Sequence, residues 1–249
     1  MKQTPPPPAL DWCLFLDVDG TLVEFTDTPS QTTADAEIKP LLENVAERLG
    51  GAVALVSGRK IQTLDELFAP LKLPSAGLHG VERRKAGGAV QGASFVDSRL
   101  DAPRAAIKAL IEANPGASFE DKDRAIAVHF RLAPQLEDLM HRSLIEIVKP
   151  LGSNYHIQSG NMVFEIKPRG FSKATAIEAF MKEPPFSGRR PVFVGDDLTD
   201  QDGFAGVEAQ GGISIGVGDR VRGRYYLQDV TAVRSWLRDI AALEDSHRE

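Results

Sequence analysis

The sequence predicts an α/β fold, a parallel-sheet core interrupted by an inserted α+β module, on three observations. Short apolar runs end abruptly in polar or acidic turns at Asp17-Val18-Asp19-Gly20-Thr21, Ser57-Gly58-Arg59 and Gly195-Asp196-Asp197, the pattern of strands buried on both faces of a sheet. Residues at helical spacing separate the first two of these runs. The middle of the chain changes to the order αββαββ, which favours an antiparallel unit over further crossovers.

The run over 14–18 reads as a first buried strand leading into a turn. Ile38, Leu41, Leu42, Val45 and Leu49 recur at helical spacing, and Gly50-Gly51 supplies the stop. A second buried strand is expected over 52–56, a helix over 60–71 and a further apolar piece over 76–78. Strand, helix, strand, helix implies parallel pairing through crossovers. A hairpin is expected around Ala86-Gly87-Gly88. The module then has a helix over 102–113, a strand pair within 119–130, a helix over 135–149 and strands near 155–158 and 162–167. The tail returns to α/β, with a helix over 172–181, a buried strand at Pro191-Val192-Phe193-Val194 and another over 212–217. The expected organisation is a discontinuous Rossmann-like parallel-sheet core, residues 1–100 and 169–249, carrying the αββαββ insertion over 101–168.

At 249 residues the chain can form one large domain or two modest ones. Its 42% hydrophobic and 26% charged residues are those of a soluble globular protein. A net charge of −6 provides no basic footprint for nucleic acid. No run approaches membrane-spanning length, and the start, Met-Lys-Gln-Thr followed by Pro5 to Pro8, has no apolar leader segment. The expectation is a cytoplasmic protein with an extended, frayed proline lead-in, and a monomer, since no long exposed apolar stretch demands a partner. Cys13 is the single cysteine, so no intrachain disulfide can form. It opens an apolar run and reads as a small buried hydrophobe.

In open parallel sheets, ligands bind beyond the carboxyl ends of the strands. Asp17/Asp19, Ser57/Arg59 and Asp196/Asp197 all stand at such ends. Residues i and i+2 of a strand face the same side, so Asp17 and Asp19 both face the site if the extension persists. Two close carboxylates repel each other, and Asp196 adds a third. A hard divalent cation resolves the conflict, and Mg²⁺ suits one or two carboxylates plus substrate phosphate and water. An isolated Asp-Gly-Thr would be a turn with a helix cap. The apolar strand before it and the second acidic strand end favour the metal reading.

Asp17-Val18-Asp19-Gly20-Thr21, the strand-end Ser57, Lys173 and Gly195-Asp196-Asp197 follow the order of the four motifs of the haloacid dehalogenase superfamily of phosphohydrolases, which the chain resembles. Longer stretches resemble the trehalose-6-phosphate phosphatase family. They are Leu55-Val56-Ser57-Gly58-Arg59, Gly77-Leu78-His79-Gly80-Val81-Glu82, Glu165-Ile166-Lys167-Pro168-Arg169-Gly170 and Gly195-Asp196-Asp197-Leu198-Thr199-Asp200. The similarity runs from Leu14 to Trp236, and the insertion is similar to that family's cap. Two departures stand out: Gln201 where the family usually has Glu, and Ala174 after Lys173 where Gly is common.

The resemblance implies Mg²⁺-dependent hydrolysis of trehalose 6-phosphate to trehalose and phosphate, the last step of trehalose biosynthesis. It implies Asp17 as the nucleophile that forms an aspartyl-phosphate, and Asp19 as the acid for the sugar oxygen and then the base for water. It further implies metal ligation by Asp17, Asp196 and the Asp19 backbone carbonyl, with Asp197 and Asp200 orienting these ligands. Ser57 and Lys173 are expected to hold the phosphoryl oxygens. Glu120, Lys122 and Glu165 are expected to bond the sugar hydroxyls, with Arg59 and His79 also near substrate. Cap hinges are expected near 100 and 168. Plainer alternatives stand beside these roles. Lys173 could be solvated, Ser57-Gly58 only a turn, Asp197 and Asp200 helix caps, and the Glu120, Lys122, Glu165 set a surface ion pair. For the whole chain the alternatives are a phosphatase or mutase for another sugar phosphate, such as sucrose phosphate, or a non-enzymatic phospho-acceptor or sensor. A receiver-type acceptor would lack both the inserted cap and the acid–base partner at +2.

Overall fold

The computed structural model describes residues 3–25, 32–92 and 98–244. Trp12–Leu16 (β1) is buried throughout, and Ile38–Arg48 (α1) turns Ile38, Leu41, Leu42 and Val45 inward. Val53–Val56 (β2), Ile61–Phe68 (α2) and Ser75–Gly77 (β3) follow, with Glu82–Arg84 (β4) and Val90–Gln91 (β5) forming the expected hairpin. Gly87 supplies the positive φ of 65° that this turn requires.

The insertion comprises Asp101–Glu112 (α3), Ser118–Asp121 (β6), Ile126–His129 (β7), Glu137–Val148 (α4), Tyr155–Gly160 (β8) and Val163–Pro168 (β9). The chain then runs through Lys173–Met181 (α5), Arg190–Gly195 (β10), Gln201–Glu208 (α6) and Ile213–Val217 (β11). Two further elements lie beyond those expected, Tyr225–Leu227 (β12) and Val230–Ala241 (α7). Helix α7 buries Val230, Val233, Trp236, Leu237 and Ile240, a helical spacing, and the Asp229 carboxylate caps it by accepting from Ala232 N–H at 2.8 Å.

Among the described residues the core strands form one sheet in the order β12-β11-β10-β1-β2-β3-β4-β5. Pairing is parallel from β12 to β3 and antiparallel from β3 to β5. From β1 the chain crosses to β2 on one side, while β10 flanks it on the other. The carboxyl end of β1 is therefore a topological switch point, where a crevice opens between neighbouring strand ends. Beneath it, Phe15 stacks on Phe186 at 5.4 Å and meets Phe180 at 6.0 Å, while Trp12 meets Trp236 of α7 at 6.2 Å. Burying one such ring is worth about 1.5–3 kcal/mol, which fixes β1 firmly under the site.

The chain separates into two compact units, Met1–Gln91 with Ser172–Glu249, and Gly92–Phe171. The second unit has its own sheet, ordered β6-β7-β9-β8 and antiparallel throughout. One face carries Ile126, Val128, Phe164 and Ile166, which share a core with Ile107 of α3 and Met140 and Leu144 of α4. The other face carries the cross-strand row Glu120, Ala127, Glu165, Gln158.

The proline lead-in is extended but not frayed as expected. Tyr226 N–H of the edge strand β12 donates to the Gln3 carbonyl at 2.9 Å, and Pro5, Pro6 and Pro8 are half-buried. An open strand edge needs acceptors for its N–H groups, and this segment covers it. Cys13 is buried, its Sγ lies 3.5 Å from Met181 Sδ, and burial pushes its thiol up to about 12. It is a packing residue. Among the described residues, no helix is long and apolar enough to cross a membrane.

Candidate active site

Asp17 follows the last residue of β1, and its N–H still bonds Val194 O at 3.0 Å, so β1 and β10 carry it to the sheet edge. The chain then turns sharply, the Val18 carbonyl accepting from the N–H groups of Thr21, Leu22 and Val23. Gly20 makes that turn possible, with φ of +81°. A Cβ there would lie 2.3 Å from Phe25 and 2.5 Å from Asp196 Oδ2, so the position is closed to side chains on two counts.

Lys173 is the first residue of α5, whose start is set by a capping box between Ser172 and Thr175. Its Nζ lies 2.8 Å from Asp17 Oδ1 and 2.5 Å from Asp200 Oδ1, with only 2% of the side chain exposed. Burial alone would lower the lysine pKa, but the charges of Asp17 and Asp200 outweigh it and hold Lys173 above its ordinary value. A merely solvated lysine is thereby excluded.

Asp196 follows β10. Its Oδ1 accepts from Thr21 Oγ1 at 3.3 Å and its Oδ2 from Arg220 at 2.5 Å. Asp200 closes the short turn after it, and its Oδ2 accepts from the N–H groups of Asp196 and Asp197 at 2.9 and 2.8 Å. Gly195 permits this, because a Cβ there would lie 2.4 Å from Asp200 Cγ. Asp197 pairs with Asp200 in a capping box.

Asp17, Asp196 and Asp200 can present oxygens all within 4.8 Å of one another. Both Asp200 oxygens are already committed, one to Lys173 and one to two backbone amides. Asp196 meets the cluster with lighter engagement, one oxygen accepting the long Thr21 bond and the other a partly exposed arginine, so Asp17 and Asp196 are the carboxylates that could hold a cation. Oxygen-only donors suit a hard divalent cation. Burial, and then the charge of Asp200, raises Asp17 well above the usual carboxylate range. The same two causes, in that order, push Asp196 up to about 7. This clustering of negative charge is what a bound cation relieves.

The other expected residues of this unit stand close by in the fold, but with particular partners. The Asp19 carboxylate is held in a fork by Arg59, Nε to Oδ2 at 2.7 Å and Nη2 to Oδ1 at 2.6 Å. Arg59 also reaches Thr32 Oγ1 at 2.8 Å. Ser57 Oγ accepts from Arg59 N–H at 3.2 Å, so its own O–H proton can be donated elsewhere. His79 lies past β3 in a left-handed turn, φ 54°, with its N–H on Ser57 O at 3.0 Å. Its ring passes so near Gly58 that a Cβ there would lie 2.7 Å from Nε2.

In the second unit, Glu120 and Glu165 share the row described above. Lys122 Nζ lies 2.6 Å from Glu165 and 3.9 Å from Glu120. Lys122 and Glu165 are both buried, unlike an exposed surface pair. His129, absent from the sequence-based set, bonds Glu120 at 3.3 Å. Its place two residues after Ala127 on the same face was the available signal. Arg220 and Thr21 were also missed. Arg220 carries no sequence signal, since only the adjacency of β11 to β10 brings its loop to Asp196.

A parallel sheet with an αββαββ insertion carries carboxylates and a buried lysine at its switch point, and its fold is shared with a phosphatase of the haloalkanoate (HAD) enzyme superfamily from Bacteroides thetaiotaomicron, TM-score 0.59 at 17% identity over 93% of this chain and 95% of that one. Residues 15–228 match the model of the trehalose-phosphatase family, to which the chain belongs. The trehalose-6-phosphate phosphatase of Escherichia coli (strain K12) is 41% identical over 236 residues, covering 94% of this chain and 88% of that protein. A probable trehalose-phosphate phosphatase of Sinorhizobium fredii is 39% identical over 237 residues, with the same coverage of 94% and 88%. Among solved structures, a trehalose-6-phosphate phosphatase related protein superposes with a TM-score of 0.77 at 25% identity, covering 92% of this chain and 96% of that one.

Proposed function

We propose that this chain hydrolyses trehalose 6-phosphate to trehalose and phosphate through an aspartyl-phosphate on Asp17, with Mg²⁺ as cofactor. Family membership supplies the reaction class, and the observation that carries the mechanism is Lys173 fixed at 2.8 Å from Asp17 inside a carboxylate cluster. An Asp17 oxygen attacks phosphorus and the bond to the sugar oxygen breaks, splitting one hard displacement into two easier ones. Asp19 donates the proton to that oxygen, then takes one from the water that cleaves the acyl phosphate. Each Asp19 oxygen accepts one N–H from Arg59, which leaves each a further lone pair for the proton it carries. Ser57 donates its O–H to a phosphoryl oxygen, and Lys173 balances the charge that gathers there. Asp17, Asp196 and the Asp19 carbonyl would hold Mg²⁺, which would supply positive charge to lower the repulsion between the phosphate and the carboxylates. Glu120, Lys122 and Glu165 provide acceptors and donors for sugar hydroxyls, and the insertion over 101–168 serves as the substrate-recognition cap. A monomeric cytoplasmic enzyme is part of the same reading.

A product screen tests it. Rapid phosphate release is expected from trehalose 6-phosphate, with little from glucose 6-phosphate or sucrose 6-phosphate, and chelation should stop it. Equal rates on all three would reject the trehalose assignment in favour of a broad sugar phosphatase, and no turnover at all would favour a sensor.

The raised carboxylates make a second expectation, on stability. Burial and the charge of Asp200 push the Asp196 carboxyl up to about 7 in the fold, against an ordinary 3.8. Between these values the folded chain holds the extra proton, so stability without metal falls as pH rises through this window. Cation binding needs the deprotonated form. The melting-temperature gain from Mg²⁺ should therefore be larger at about pH 8 than at about pH 5.5. Thermal melts of chelator-treated protein with Mg²⁺ restored measure it, and an equal gain at both pH values would contradict the metal assignment.

A further inference from the structure

Arg220 lies on the segment between β11 and β12 and reaches Asp196 Oδ2 at 2.5 Å. Its guanidinium rests over the Phe25 ring at 4.5 Å, a favourable seat for a cation. The two partners differ sharply in exposure, 41% for the arginine side chain against 3% for the aspartate. Lys173 serves Asp17 and Asp200, so within this cluster Asp196 takes its short charged contact from the surface instead. Among the described residues the other Asp196 oxygen has only the longer Thr21 bond, at 3.3 Å.

We propose that Arg220 competes with the divalent cation for Asp196 and so sets how tightly the cation is held. The inference rests on the metal reading above and goes beyond it, because it assigns a determinant of affinity outside the ligands. A divalent ion on Asp196 and a guanidinium hydrogen-bonded to the same carboxylate repel each other at close range. Lys173 cannot leave, being buried. Arg220 can, since 41% of its side chain is exposed and its head needs only to swing away on a long stem. It thus offsets the charge of Asp196 until a cation replaces it.

The test compares chelator-treated wild type, Arg220→Ala, Arg220→Gln and Arg222→Ala, titrated with Mn²⁺ by calorimetry and melted with and without Mg²⁺. Arg222 is exposed two positions away, so its loss changes net charge equally. Both Arg220 variants should bind Mn²⁺ several-fold more tightly than wild type. They should also melt lower without metal and gain more from Mg²⁺, while Arg222→Ala tracks wild type. Unchanged or weaker Mn²⁺ binding in the Arg220 variants would overturn the proposal, the weaker case making Arg220 a support for Asp196. An equal gain in Arg222→Ala would overturn it in favour of general charge repulsion. No divalent binding by wild type would remove the metal reading itself and the competition with it.

Discussion

Asp17→Asn is expected to lower turnover of trehalose 6-phosphate by about 10⁴-fold or more, the scale seen when a nucleophile is removed from a working site. An amide oxygen does not attack phosphorus, while shape and volume are conserved, so the fold should persist. The residue is almost completely buried beneath Lys173, and asparagine can still accept from that lysine through its carbonyl oxygen. Steady-state rates, circular dichroism and acid-quench trapping of phosphoenzyme together check the claim. Wild type should show a labile phosphoenzyme and the variant none. Residual activity within about tenfold of wild type would exclude Asp17 as the nucleophile.

Lys173→Met should damage both catalysis and stability, which distinguishes it from Asp17→Asn. Its ammonium is the buried cation between Asp17 and Asp200, and methionine leaves these carboxylates facing one another. Breaking a buried pair from one side costs about 3–5 kcal/mol, because the remaining charge is uncompensated. The rate should fall on the order of 10²–10³ as charge stabilisation is lost. Mg²⁺ should restore part of the stability but little of the rate, since a cation at Asp17 and Asp196 relieves repulsion without reaching every place the ammonium served. Lys173→Arg should not rescue, because Nζ is fitted between two carboxylates above the Phe193 ring, 5.9 Å to its centre. Denaturant unfolding with and without Mg²⁺, alongside kcat, measures both effects. A variant as stable as wild type would mean that the ion pairs contribute nothing net.

Much of the core was legible because buried strands and amphipathic helices leave local patterns. Leu14 to Leu16, Val53 to Val56 and Val192 to Val194 are unbroken apolar stretches, and each leads to a charged or hydroxyl-bearing turn. Helix α1 announced itself through Ile38, Leu41, Leu42 and Val45. Helix α7 has comparable spacing through Val230, Val233, Leu237 and Ile240, yet no motif drew attention to it. The proline lead-in shows the reverse case. Its composition reads as loose chain, and only the exposed edge of β12 gives it a partner.

The chain's own order of residues settled the fold class, the αββαββ interruption and the acidic turns at 17–20 and 195–197, since these depend on periodicity and on motifs contiguous in the chain. Tertiary structure decided the pairings. Arg59 with Asp19, Asp200 with the amides of Asp196 and Asp197, and Arg220 with Asp196 depend on where a side chain points after a turn and on which strands are neighbours. Those are consequences of packing the whole sheet, and charge interactions follow distance in space, not position in the chain.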